Sequence, residues 1–200
     1  MYVPDPFRES RPEVLAGAMR DIAFAILVTH DAAGALEANH LPMLFDGRLL
    51  TGHVARANPV WQAGEGAALA IFLGPHAYVS PNWYPSKAET GKAVPTWNYM
   101  TVHARGRIRW IEDVDWLRQN VTALSARHEA NRLLPWAVGD APASYVDTLL
   151  RAIVGFELTV EALDGKWKLT QNRSEADRLG VRDAYDREQR PDMARLMDGK

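Results

Sequence analysis

The segment Pro95–Ile111 (PTWNYMTVHARGRIRWI) has a two-residue period and no helical one. Trp97, Tyr99, Thr101 and His103 fall on one face and Asn98, Met100 and Val102 on the other, so the segment reads as a long strand. Gly155–Leu163 (GFELTVEAL) alternates in the same way, with Phe156, Leu158, Val160 and Ala162 directed inward. Ala23–Thr29 and Ala67–Leu73 are short continuous apolar runs, expected as buried strands, the second ended by Gly74-Pro75. Leu36–Phe45 reads as a further strand with Asn39 and His40 on opposite faces, and Pro42 places an edge or bulge in it. Asp46-Gly47 and Asp164-Gly165 are turn signals, and Pro81–Val94 reads as a long ordered loop. Helices are expected after Ser10, after Asp113, over Pro142–Ala152, and from Asn172 onward with a loose charged end. The pattern predicts a mainly β, antiparallel small barrel with peripheral α-helices.

Composition narrows the function classes. There is no cysteine in the 200 residues, so no disulfide framework and no thiolate site, which fits a cytoplasmic protein. No run is long and apolar enough for a membrane helix, and MYVPDPFRES lacks the pattern of a signal peptide. The six histidines show neither HxH nor HExxH spacing, so no metal site is expected. A net charge of -2, a pI near 6.3 and the lack of a basic recognition helix argue against a direct grip on DNA. Arg105, Arg107 and Arg109 alternate along one strand and read as a solvated face. Seven Trp and six Tyr imply flat surfaces to bury, in a core, in an interface or against a planar ligand.

Leu49–Trp61 (LLTGHVARANPVW) begins as a strand and ends as a helix start, with Asn58 as N-cap and Pro59 at the first helical position. Gly52, His53 and Arg56 lie between. The stretch admits two readings: a capped turn with a solvated arginine, or an anion site of helix N–H donors and a guanidinium. Trp97-Asn98-Tyr99 offers aromatic faces and an amide, and Lys168-Leu169-Thr170-Gln171-Asn172 adds a cation and two amides. Together these match a flat, phosphorylated cofactor such as FMN. Taken singly, an aromatic strand also suits a core, and KLTQN also suits a plain loop.

The ordered motifs MYVPDPF, GHVARANPVW, GPHAYVSPNWY, VPTWNYMTVHARG and IVGFELTVEALDGKWKLTQNR resemble the PaiB-like, FMN-binding negative transcriptional regulator family. The resemblance spans Met1 to about Gly180. It implies an FMN-binding split β-barrel, related to pyridoxamine phosphate oxidases, that acts as a homodimer with flavin at the subunit interface. It implies an FMN-binding domain over residues 1–180 and a charged C-terminal helix or tail over 181–200. At matching positions it implies that Asn39, His40, Leu41, Gly52 and His53 line the flavin, that Arg56, Ala57 and Asn58 meet its phosphate, and that Trp97, Asn98 and Tyr99 approach its ring. Lys168 and Gln171 match the late motif, where Thr170 replaces the usual Ser. The family label implies an effect on gene expression, exerted indirectly. The alternatives are a flavin-dependent oxidoreductase of unknown substrate, and a barrel that holds haem through one histidine. No catalytic residue stands out.

Overall fold

The computed structural model describes residues 1–31 and 33–199. Ala32, in the turn expected at His30–Gly34, and Lys200, in the expected tail, lie outside the described residues. Among the described residues eight strands form one sheet: β1 (Arg8–Glu9), β2 (Phe24–His30), β3 (Leu36–Pro42), β4 (Leu44–Phe45), β5 (Leu49–Ala55), β6 (Gly66–Val79), β7 (Thr96–Ile111) and β8 (Ile153–Lys168). Their order is β3-β2-β6-β7-β8-β5-β4, with β1 on β8. The helices are α1 (Pro12–Ile22), α2 (Pro85–Thr90), α3 (Val114–Glu129), α4 (Ala143–Arg151), α5 (Glu175–Arg187) and α6 (Pro191–Met197). The fold is therefore the mainly antiparallel β class with peripheral helices that was expected, of the split-barrel type. No helix among the described residues is long and apolar enough to cross a membrane.

Local chemistry sets the element ends. The Asp113 carboxylate accepts from Trp116 N at 2.7 Å and starts α3. Ser174 Oγ accepts from Asp177 N at 3.2 Å and starts α5. At the Asp46-Gly47 hairpin, Asp46 Oδ1 accepts from Arg48 N and Leu49 N, and Gly47 takes φ +111°. Other expectations need correction. Gly74-Pro75 does not end β6, and Asp164-Gly165 does not turn the chain: β6 and β8 run straight through both. The glycines are there for close approach. A Cβ on Gly74 would lie 2.6 Å from Met100 Cγ, and one on Gly165 would lie 2.3 Å from Leu15 Cδ2. Pro81–Val94 is not all loop, since it contains a 3-10 turn and α2. Leu36–Phe45 splits into β3 and β4 at Met43, whose N–H pairs with Ala23 O.

The chain divides into two units. The first comprises Met1–Ala18, Leu73–Val102 and Asp164–Lys200. Its core gathers Val79, Tyr84, Val181, Tyr185, Met193 and Met197, so the charged C-terminal stretch carries an apolar face. Asp177 is 3% exposed and accepts from Ser86 N at 3.0 Å and Ser86 Oγ at 2.7 Å. The second unit comprises Met19–Phe72 and His103–Leu163. There β2 pairs with β3 and β6, and β5 pairs with β4 and β8, all antiparallel. Leu117 of α3 packs with Val146 and Leu150 of α4, and Trp116 and Ile153 lie against them.

Burial alone would raise the Asp177 pKa, but the Ser86 donors, helped by Ser174 and the Arg173 charge, outweigh it and hold the carboxyl low. A depressed folded pKa stabilises the protein above the unfolded value, near 3.8, and that stabilisation is lost as pH falls through the folded value. Asp177→Asn should therefore cost about 1–3 kcal/mol at neutral pH. Urea melts should show the gap from wild type closing as pH falls below 3.8. A gap that does not vary with pH would assign the loss to packing.

Candidate functional site

The expected site residues fall into two groups, one in each unit. In the Met19–Phe72 and His103–Leu163 unit, β5 carries Gly52 and His53. Gly52 pairs with Phe156 across the β5–β8 ladder. A Cβ on Gly52 would sit 2.7 Å from Phe156 Cζ and 3.0 Å from Pro42 O, so only glycine leaves room for the ring. His53 Nδ1 is buried without a hydrogen-bond partner, as is Asn120 Oδ1. Burial pushes the His53 pKa down, and nearby Asn120 opposes part of that shift. The imidazole is therefore neutral at neutral pH.

The chain after β5 does not make a full helix start. Asn58 caps as expected, its Oδ1 accepting from Val60 N at 3.1 Å, but the helix is a five-residue 3-10 turn, Pro59–Ala63. So short an element has little dipole to offer an anion. Asn58 Nδ2 donates to Asn39 Oδ1 at 2.6 Å, which ties β3 to this turn. Arg56 is held firmly: Nε donates to Arg151 O at 2.8 Å and Nη2 to Ile153 O at 3.2 Å. Its Nη1 meets Glu112 Oε2 at 2.5 Å, and the guanidinium lies 5.6 Å from the Trp61 ring centroid. Leu41 and Trp61 pack on Val54, Val60 and Val154. Ala57 is exposed, as is His40, whose ring lies 6.4 Å from that of Phe24.

In the other unit, Trp97 is 53% exposed and stands edge-on to Tyr78 at 6.2 Å, with His76 at 6.5 Å. Asn98 points inward and bonds Thr170 Oγ1. Tyr99 lies beneath the Lys166 ammonium, 5.3 Å from the ring centroid. Lys168 Nζ donates to Trp97 O at 2.8 Å and to Thr96 Oγ1. Burial, reinforced by the Lys166 charge, lowers its pKa. Gln171 is occupied locally, accepting from Leu169 N and donating to Trp167 O. Sequence reasoning missed Arg173 and Tyr84. With Lys168, Thr96 and Thr170 they line a small polar cavity of 150 Å³, where the Arg173 guanidinium lies 4.9 Å from the Tyr84 ring centroid. The adjacency of Arg173 to the KLTQN motif was the available signal. It also missed a larger cavity beside His53, lined by α3 and α4.

Residues 1–162 match the family model described as "Putative FMN-binding domain". The chain is 34% identical over 209 aligned positions to protease synthase and sporulation protein PAI 2 of Bacillus subtilis, covering 100% of this chain and 98% of that protein. This chain belongs to the PaiB-like, FMN-binding family. Solved structures share the fold at low identity. One is a Bacteroides thetaiotaomicron protein described as a "putative 5-nitroimidazole antibiotic resistance protein": TM-score 0.57, 13% identity, 80% of this chain and 85% of that one. Another is a FAD and haem binding protein of Mycobacterium smegmatis: TM-score 0.57, 16% identity, 80% of this chain and 73% of that one. FMN is the cofactor of the family to which the chain belongs.

The β5–β8 approach in this family member is directly testable. Gly52→Ala should destabilise the protein by about 1–3 kcal/mol, because the methyl group meets an aromatic ring and a backbone carbonyl. Thermal unfolding that leaves the midpoint unchanged would show that Phe156 yields freely.

Proposed function

We propose that the chain is an FMN-binding flavoprotein that works as a cytoplasmic homodimer and affects gene expression without gripping DNA itself. The family match over residues 1–162 carries the flavin reading. A pI near 6.3 supports the indirect route. The name of the Bacillus relative places that protein in protease synthesis and sporulation, which supports the regulatory reading that the family label implies. Exposed Trp97 and Tyr78 support burial against a second copy. The proposed FMN-binding domain covers residues 1–180, with the charged C-terminal segment beyond it.

An anchored guanidinium, Arg56, with one exchangeable carboxylate partner supports FMN as the ligand. In this reading Asn39, His40, Leu41, Gly52 and His53 line the cofactor, Arg56, Ala57 and Asn58 receive its phosphate, Trp97, Asn98 and Tyr99 approach its ring, and Lys168 and Gln171 of the late motif belong to the same binding set. Bound FMN would supply one- or two-electron redox chemistry. Arg56 is preorganised by two backbone carbonyls, so little entropy is lost when it grips an anion. Its carboxylate partner, Glu112, is 59% exposed. Such a surface pair contributes roughly 0–1 kcal/mol, so a phosphate near its dianion form can displace it.

Titrations of FMN and riboflavin into wild type, Arg56→Ala and Glu112→Gln separate these roles. Arg56→Ala should weaken FMN by one to two decades, about 1.5–3 kcal/mol, and leave riboflavin nearly unchanged. Glu112→Gln should strengthen FMN about two- to fivefold by removing the competing charge. Equal loss of both ligands in Arg56→Ala would remove the phosphate assignment.

Light scattering at micromolar concentration should give a dimer, with an interface on the order of 2,000 Å² or more. The absorption spectrum of the protein as purified should show flavin bands. A Soret band in their place would favour the haem reading. A monomer that retains flavin would defeat the dimer.

A further inference from the structure

The larger cavity lies wholly within the Met19–Phe72 and His103–Leu163 unit, opens to solvent and has a volume of 480 Å³. That is within the size range of small-molecule sites. Val121 of α3, Val146 and Leu150 of α4, and Ile153 of β8 form its apolar wall, and Trp136 and Tyr145 stand at its rim. Among the described residues no charged side chain lines it. Apart from the rim, the polar side chains in the lining are His53 and Ser125. An ion would lose part of its hydration there without a charged partner, so the space favours an uncharged guest.

His53 decides what that guest presents. Asn120 Nδ2 donates to Thr51 Oγ1 at 3.0 Å, which fixes the amide with its carbonyl oxygen as a free acceptor. The buried His53 Nδ1 is unsatisfied, and Asn120 is the polar neighbour of the ring. Two acceptors cannot satisfy one another, and of the two tautomers only Nδ1–H can offer a proton to the orphaned Asn120 oxygen, which favours the neutral imidazole with its proton on Nδ1. That leaves Nε2 as a lone-pair acceptor. It is not among the buried orphan atoms, and His53 is the imidazole in the cavity lining.

We propose that this cavity binds a small, uncharged molecule that donates one N–H or O–H to His53 Nε2, with Asn120 as the residue that positions the ring. No residue expected to bind flavin, other than His53, is part of the lining, and the assignment holds whether or not flavin occupies the rest of β5.

Indole and indene are suitable probes, nearly identical in shape, of which only indole carries an N–H. Calorimetric titration into the protein as purified should show indole binding about five- to tenfold more tightly than indene. Leu149→Trp, at a cavity-lining position 48% exposed to solvent, should abolish both by filling the mouth. His53→Leu should erase the preference for indole and keep indene. Nitrogen NMR of His53 should report the Nδ1–H tautomer. The proposal is overturned if neither probe binds at millimolar concentration, if Leu149→Trp leaves indole binding intact, if wild type binds the two equally, or if the proton is on Nε2. Leu149→Trp, the indene comparison and the tautomer keep the test decisive should His53→Leu not fold. Flavin content measured on the same samples distinguishes failure here from failure of the flavin reading.

Discussion

One step of the β5–β8 ladder holds the larger unit together. Gly52 stands opposite Phe156, and His53 stands opposite Gly155. On one face the missing side chain of Gly52 admits the Phe156 ring, which is fully buried. On the other face the missing side chain of Gly155 admits α3: a Cβ there would lie 2.2 Å from Trp116 Cζ3 and 3.0 Å from Leu117 Cδ2. Two adjacent pairs thus set both the core beneath the sheet and the helix layer above it. A one-residue slip in register would exchange the faces and lose both. His53 inherits its position from this step, held between the pairing of β5 and the packing of α3 on Gly155.

The polar groups near His53 depend on the same layer. Asn120 is 6% exposed and reaches Thr51 on β5. Trp116 Nε1 donates to Glu157 Oε1 at 2.9 Å, and Glu157 also receives Arg109. This arrangement gives Arg109, in the Arg105, Arg107 and Arg109 stripe, a carboxylate partner within the sheet. It also explains how α3 is located by polar contacts at its start and by Leu117 and Leu124 further along, both buried. The cavity beside His53 is bounded by this helix layer, with Val121 and Ser125 of α3 and Val146 and Leu150 of α4 in its lining.

Arg56 shows how a surface residue acquires a function-ready geometry. Its side chain is anchored by carbonyls 95 and 97 positions away in sequence, and its own backbone N–H pairs with Ala152 O. The guanidinium is fixed before any ligand arrives, and only its outer nitrogen faces an exchangeable carboxylate. In the other unit, Lys168 is fixed in a comparable way by Trp97 O, and Arg173 by the Tyr84 face. Both units therefore hold cations whose positions are set by backbone or aromatic contacts more than by ion pairs.

The sequence by itself determined the β class, the caps at Asn58, Asp113 and Ser174, and the hairpin at Asp46-Gly47. Each rests on interactions within a few residues, where side-chain chemistry and backbone geometry are nearly sufficient. Its ordered motifs also sufficed for the family. The tertiary structure decided the meaning of Gly74, Gly155 and Gly165, because a glycine that makes room for a distant side chain has the same local signature as one that turns the chain. It decided that Gln171 closes its own loop and that Arg56 is anchored, since neither partner set has a readable spacing. The apolar face of α5 and α6 was hidden by the charge around Val181, Tyr185 and Met193. The His53 cavity was hidden more deeply still, since its walls come from four separated segments that only packing brings to one place.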